Sequence, residues 1–526
     1  MKADSESGQP TVPWLALVID RLLIALMTLG LYGLLMRGYP IIYGGDPVAR
    51  LVNFPRILVG HQLPLLQLLI HYTMRWFYGP DAIFWLMALI SAAACAGIHA
   101  LTWEITKDRR AACATAVLYV AHPFILYYSR VPYQEPLLIA FLAWGFCYLF
   151  RPPSLVNSLA SSLFFGLACF CRYEGWIAAL AAGLFYVWQA RQRKHRIALG
   201  SIILSLALFG WAPALWIAWN RDLSPAGSYV LDLGVQWGRF YRPYFVMKSA
   251  LWWTESAVVL LALAGFVRSW LDPQIREQRR THALLGLLMI LLAALVVSGH
   301  SIQPDPVRLV TEREAFIPIS LLIVYAGLGA GWLWNECRNR FGDRSLLRSG
   351  IPLLALAVAG GYSINRGIHR VAAGNSDADL LTAYQVAEFL AEQRAGSLIM
   401  AAPLPPVEVE SYLNSVERWS GARGRENALE QLQEVETTPL DYQRVLTFSW
   451  MGRDKVFSAD RLRGMTPAAI EGFLREKRIE YVVIFSDFRP AAEHERIVMD
   501  LHAGPRSPEV EIRNGSRTAR IYPVRF

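Results

Sequence analysis

The sequence predicts a polytopic α-helical membrane protein with a C-terminal extracytoplasmic α/β domain. Three observations carry this. Apolar stretches recur from Pro13 to about Ile364, and about twenty apolar residues suffice to cross the hydrocarbon core, which gives about eleven transmembrane helices. The composition, 54% hydrophobic and 18% charged with mean hydropathy +0.30, is unlike that of a soluble domain. Clusters of Lys and Arg recur at alternate connectors, as expected where basic loops stay in the cytoplasm.

The predicted spans are approximately 14–36, 82–104, 112–128, 134–150, 158–171, 176–190, 197–219, 251–269, 283–299, 316–334 and 351–365. The first lacks a small-residue cleavage site and reads as a retained span. Asp20 and Arg21 interrupt it, and such neighbours can pair or snorkel near a helix end. Lys107, Arg109 and Arg110 form the first basic cluster, and Arg191, Arg193, Lys194 and Arg196 the second. Arg276, Arg279 and Arg280 form the third, followed by Arg338, Arg340, Arg344 and Arg348. Parity puts all four on one side, expected to be cytoplasmic.

The membrane part is expected over 1–365. Its external segments 37–81 and 220–250 mix aromatic, basic and apolar residues, a pattern suited to helices lying in the interface. Residues 366–526 are polar and predict a small α/β domain. Ser376–Arg394 has helical spacing, with Leu380, Leu381, Tyr384, Ala387 and Leu390 on one side. Ser397–Ala402 and Glu480–Phe485 read as strands, Thr466-Pro467 as a helix start, and Asn514-Gly515 as a hairpin turn. An odd number of spans from a cytoplasmic start puts this domain outside.

Net charge is +9, but the basic residues flank spans and no basic, aromatic-interleaved module is visible, which argues against nucleic-acid binding. The six cysteines lie in or beside apolar spans, so the tail has no disulfide framework. No H-E-x-x-H, paired C-x-x-C, P-loop or G-x-S-x-G is present, which argues against a zinc protease, an ATP-driven pump and a serine hydrolase.

The same threading gathers polar motifs on the external face. Asp46 sits in Gly44-Gly45-Asp46-Pro47, where glycines allow close backbone approach and proline stiffens the exit. A partly shielded carboxylate there gains proton affinity and suits a general base; the alternative is a turn residue. Arg172 and Glu174 divide two apolar runs with hardly any loop, and Arg130 and Glu135 flank a similar turn. Either set can bind a ligand or pair internally to anchor helix ends. Arg308 and Arg313 precede the span at Phe316, and the planar guanidinium of Arg313 matches phosphate oxygens. Arg242 and Lys248 are weaker candidates for headgroup contacts. His61 can orient an acceptor or bind a metal, or sit satisfied at the interface.

Between about Trp14 and Trp334, the tracts GGDP, GHQLPLLQLLI followed by FYGPDAIFWLMALIS, AHPFILYYSRVPYQEPLL, ACFCRYEGWIAAL and TEREAFIPISLLIVYAGLG occur in that order. They resemble the GT-C superfamily of integral-membrane glycosyltransferases. The likeness is to bacterial relatives of dolichyl-phosphate-mannose–protein mannosyltransferases and of the lipid A aminoarabinose transferase. The chain differs from many of these relatives in having a single Asp in the first motif and Gln-Leu-Pro after His61.

The resemblance implies an inverting glycosyltransferase that moves a sugar from a polyprenyl-phosphate-linked donor to a glycan, lipid or protein acceptor on the extracytoplasmic face. Asp46 would be the catalytic base, Arg172, Arg313 and Arg130 would bind the donor phosphate, and Glu135, Glu174, His61 and Arg308 would support or bind the acceptor. No cofactor is implied with certainty, and the single Asp leaves a divalent metal open. Two rivals stand beside this. A transporter or flippase of lipid-linked glycans would place its polar residues near the midplane, whereas these cluster at span ends. A non-catalytic scaffold leaves Asp46 and the arginines unexplained. Usage rich in Ala, Leu and Arg, without disulfides, points to a bacterial inner (cytoplasmic) membrane.

Overall fold

The computed structural model describes residues 14–41, 47, 50–51, 63–77, 80–152, 154–194, 199–223, 250–271, 315–342, 345–376, 378–393, 398–401, 456–458, 465–486, 509–515 and 517–524. It is mostly helical. In chain order the helices are α1 Trp14–Gly38, α2 Pro64–Trp76, α3 Pro80–Thr106, α4 Arg109–Ala121, α5 Pro123–Tyr128, α6 Glu135–Phe150 and α7 Leu155–Cys169. They continue with α8 Glu174–Lys194, α9 Leu199–Leu223, α10 Ser256–Leu271, α11 Phe316–Phe341, α12 Ser345–Asn375, α13 Ala378–Glu392 and α14 Pro467–Glu476.

Among the described residues, four stretches are long and apolar enough to cross a membrane: Trp14–Gly38, Asp81–Thr106, Phe316–Phe341 and Ser349–Gly374. Glu135–Phe150, Leu155–Cys169, Ile202–Ala218 and Ser256–Ser269 are shorter apolar helices. The chain is therefore a multi-pass membrane protein. The expected span 283–299 lies outside the described residues.

Two expected spans are corrected. The span 112–128 is two helices, α4 and α5, broken at His122. Pro123 disfavours helical geometry in the residue before it, and His122 is extended, at φ −65° and ψ 128°. The span 351–365 is part of the 31-residue α12, which continues to Asn375. Composition turns polar at Arg366, yet nothing in Arg366–Ala373 breaks a helix.

α3 is central and packs against α1, α2, α4 and α6, while α11 packs against α10, α4 and α12. With little hydrophobic drive between helices in lipid, close approach through small residues decides such contacts. A Cβ on Gly265 of α10 would meet the Tyr325 carbonyl of α11, and one on Gly329 would meet that of Leu261. Gly327 and Gly331, a turn apart, face Thr115 and Ala111 of α4 in the same way. By contrast α1 is peripheral, and Leu15, Leu22, Leu26, Met27 and Leu34 face outward. Within the segment expected to lie in the interface, α2 buries Leu66, Gln67, Ile70 and Met74 on one face and exposes Tyr72 and Trp76.

The C-terminal strands are β1 Leu398–Ala401, β2 Val456–Ser458, β3 Tyr481–Ser486, β4 Val510–Asn514 and β5 Arg517–Pro523, in the order β2-β1-β3-β5-β4. β1 is parallel to β2 and β3, whereas β5 is antiparallel to β3 and β4. The β4–β5 turn holds Gly515 at φ 57°, a backbone that favours glycine. Thr466 caps α14 by accepting from the Ala469 amide at 3.3 Å. Asn514 donates to Thr382 Oγ1 at 3.0 Å and to Gln385 Oε1 at 2.8 Å, which fixes the hairpin to α13.

Candidate active site at the connector end of the bundle

The helix bundle has two chemically distinct ends. At one, Arg110 stacks over Trp334 and hydrogen-bonds Asn335, Arg151 pairs with Glu104 at 3.1 Å, and Arg268 lies over Trp332. These contacts bring the ends of α3, α6, α10 and α11 and the start of α4 together. The opposite end carries the turns that join α5 to α6 and α7 to α8.

The α7–α8 turn is built by its own sequence. Backbone amides of Cys171 and Arg172 both return to the Ala168 carbonyl, at 3.0 and 3.2 Å. A Cβ on Gly175 would collide with that carbonyl, so glycine is what allows α8 to start so close to the end of α7. The Trp176 indole donates to the Cys169 carbonyl at 3.0 Å. This tight turn leaves Arg172 and Glu174 facing Glu135, the first residue of α6. Arg172 Nη1 is 2.5 Å from Glu135 Oε1, and its Nε and Nη2 are each 2.7 Å from Glu174 Oε1. Relative exposures are 9% for Arg172, 3% for Glu135 and 7% for Glu174. One guanidinium therefore bridges two buried carboxylates through charge-assisted bonds. Each Glu also opens a helix, where the aligned amide dipoles favour negative charge.

Three further contacts draw neighbouring segments to the same place. Gln134 donates to the Leu63 carbonyl at 3.1 Å, and the Leu65 amide donates to the Phe170 carbonyl at 3.1 Å, so the start of α2 is held by both turns. Arg130, 1% exposed, donates Nη2 to the Ile41 carbonyl at 2.6 Å and Nη1 to the Tyr39 carbonyl, and lies over the Phe84 ring. This seats Arg130 as an anchor for the chain leaving α1, five residues before Asp46.

The structure thus brings Glu135, Arg172 and Glu174 into direct contact and places Arg130 on the segment that leads toward Asp46. Asp46, His61, Arg308 and Arg313 lie outside the described residues, as do Arg242 and Lys248. Sequence reasoning missed Arg50, which is 2% exposed, lies within electrostatic reach of Cys171 together with Arg172, and accepts at its carbonyl from Gln67 at 3.0 Å. The available signal was a cation close behind GGDP in an otherwise apolar stretch.

No family model matches the chain, and no curated protein matches its sequence. Among solved structures, the glycosyltransferase ArnT from Cupriavidus metallidurans, crystallised with undecaprenyl phosphate, superposes with a TM-score of 0.54 at 11% identity, over 96% of this chain and 97% of that one. The chain shares the fold of ArnT. The arabinofuranosyltransferase AftD from Mycobacteria aligns with a TM-score of 0.47 at 13% identity, over 98% of this chain and 40% of its own. The overlap with ArnT extends along nearly the whole length of both chains.

Proposed function

We propose that the chain is an inverting glycosyltransferase that takes its sugar from a polyprenyl-phosphate donor at the extracytoplasmic face. The observation that carries this reading is the convergence of the chain after α1, the start of α2 and two interhelical turns on the Arg172–Glu135–Glu174 cluster. The fold supports it: ArnT, with the same architecture, was solved bound to a polyprenyl phosphate. About eleven spans would complete the bundle. Residues 1–365 would form the membrane unit, and 366–526 an external α/β domain that helps select the acceptor. The basic end would face the cytoplasm of a bacterial inner membrane.

The chemistry asks little of the protein. A sugar on a phosphate already has a good leaving group, so two tasks are left: removing the acceptor proton and stabilising phosphate charge as the bond breaks. Asp46 takes the first. Arg172 and Arg313 take the second, with Glu135 and Glu174 fixing the guanidinium plane of Arg172. Arg130 holds the segment that bears Asp46, and Arg308 and His61 line the acceptor side. Direct attack inverts the anomeric centre.

The test is turnover of labelled polyprenyl-phosphate-sugar by the detergent-purified chain. Asp46→Asn should lower the rate by roughly a hundredfold to ten-thousandfold, the usual contribution of a positioned base. A variant with unchanged turnover, or a wild-type chain that consumes no such donor, removes the proposal.

A further inference from the structure

A second cluster, at the basic end, takes no part in the chemistry above. Asp20 on α1, His99 on α3 and Cys113 on α4 offer a carboxylate oxygen, an imidazole nitrogen and a thiol sulfur that all lie within 4.8 Å of one another. We propose that these three side chains form a zinc site that fastens α1 to the bundle.

The donor set suits that ion. Oxygen, nitrogen and sulfur from Asp, His and Cys are the ligands Zn²⁺ takes, and three of them leave a fourth position for water. Cys113 Sγ is 3.8 Å from His99 Nε2. Standard zinc bond lengths at a tetrahedral angle place such a sulfur and nitrogen about 3.6 Å apart, so little movement is needed. His99 is fully buried, and its Nδ1 has no hydrogen-bond partner among the described residues. Coordination through Nε2, the nitrogen that faces Cys113, would fix the tautomer with the proton on Nδ1.

Charge decides whether the ion is tolerated. Arg21 and Arg109 lie close enough to be felt at His99 and oppose a bare cation. Loading breaks the S–H bond of Cys113, forms an S–Zn bond and releases the proton to solvent. Zn²⁺ with one carboxylate, one thiolate and one neutral imidazole then sums to zero, a charge that can be buried. Arg109 already supplies an outer contact, with Nε 2.6 Å from Asp20 Oδ2 and Nη2 2.7 Å from Oδ1, which orients the carboxylate for its other lone pairs to bind metal. Its side chain is 49% exposed and Cys113 is only half-buried, so the site lies at the surface of the bundle.

The experiment is Co²⁺ titration and zinc analysis of the full chain in detergent. Wild type should retain about one zinc per chain and, after exchange, show a thiolate-to-cobalt charge-transfer band. Cys113→Ser should abolish the band, His99→Gln should release the metal, and Arg109→Gln should weaken binding by about ten- to a hundredfold. The thiolate band separates this site from any metal held by carboxylates at the opposite end. If His99→Gln fails to fold, the half-buried Cys113→Ser decides alone. A wild-type chain without zinc and without the band overturns the proposal, as does a band or zinc content unchanged by Cys113→Ser. Either result would leave the transferase reading untouched, since donor turnover does not depend on this cluster.

Discussion

The two ends of the bundle solve the problem of charge near a membrane differently. At the turn end, Arg172 is enclosed with two carboxylates, each on the first turn of a helix, and all three groups are nearly inaccessible. At the basic end, Arg109 keeps half its side chain in contact with water while it grips the buried Asp20. The first arrangement makes each member depend on the others. The second lets solvent stabilise a charge whose partner is lost. Burial, rather than the number of ion pairs, therefore sets how much each pair matters.

Removing one partner tests the contrast most sharply at the turn end. Arg172→Ala should cost roughly 3–5 kcal/mol, because two carboxylates are left uncompensated in a low-dielectric site. Thermal unfolding in detergent reads this. Replacing Glu135 and Glu174 by Gln in the same chain should recover much of the loss, and an additive triple variant would break the comparison. At the basic end, Arg109→Ala in the metal-free chain should cost only about 1 kcal/mol, since water replaces the guanidinium. A loss as large as that of Arg172→Ala would show that exposure does not govern the difference. The smallest effect is expected at Arg340, 73% exposed and paired with Glu336 one turn earlier at 2.7 Å. Arg340→Ala should change stability by less than about 0.5 kcal/mol, and raised salt should erase even that.

Local signals in the sequence reached a good part of this. The tight RYEG turn, the Thr466 cap, the Tyr481–Ser486 strand and the Asn514-Gly515 hairpin all follow from residues within a few positions of one another. Pairings across distance were not legible. Asp20 stands beside Arg21 in the chain, yet its partner is Arg109, 89 residues away, while Arg21 lies over Trp144. Adjacent positions on a helix point about 100° apart, so neighbours in sequence seldom meet. Glu135 likewise finds Arg172 across 37 positions. Hydropathy also hid the break at His122, because Pro123 interrupts the helix without interrupting the apolar run.

That anchoring has a mechanical consequence. α1 touches the rest of the bundle along a narrow strip, but it is pinned twice: Asp20 to Arg109 near its beginning, and the carbonyls of Tyr39 and Ile41 to Arg130 just past its end. A rod held at both extremities can roll or bow, but it cannot slide lengthwise. The carbonyls of Tyr39 and Ile41 therefore keep a constant height relative to the rest of the bundle, whatever the lipids around α1 are doing.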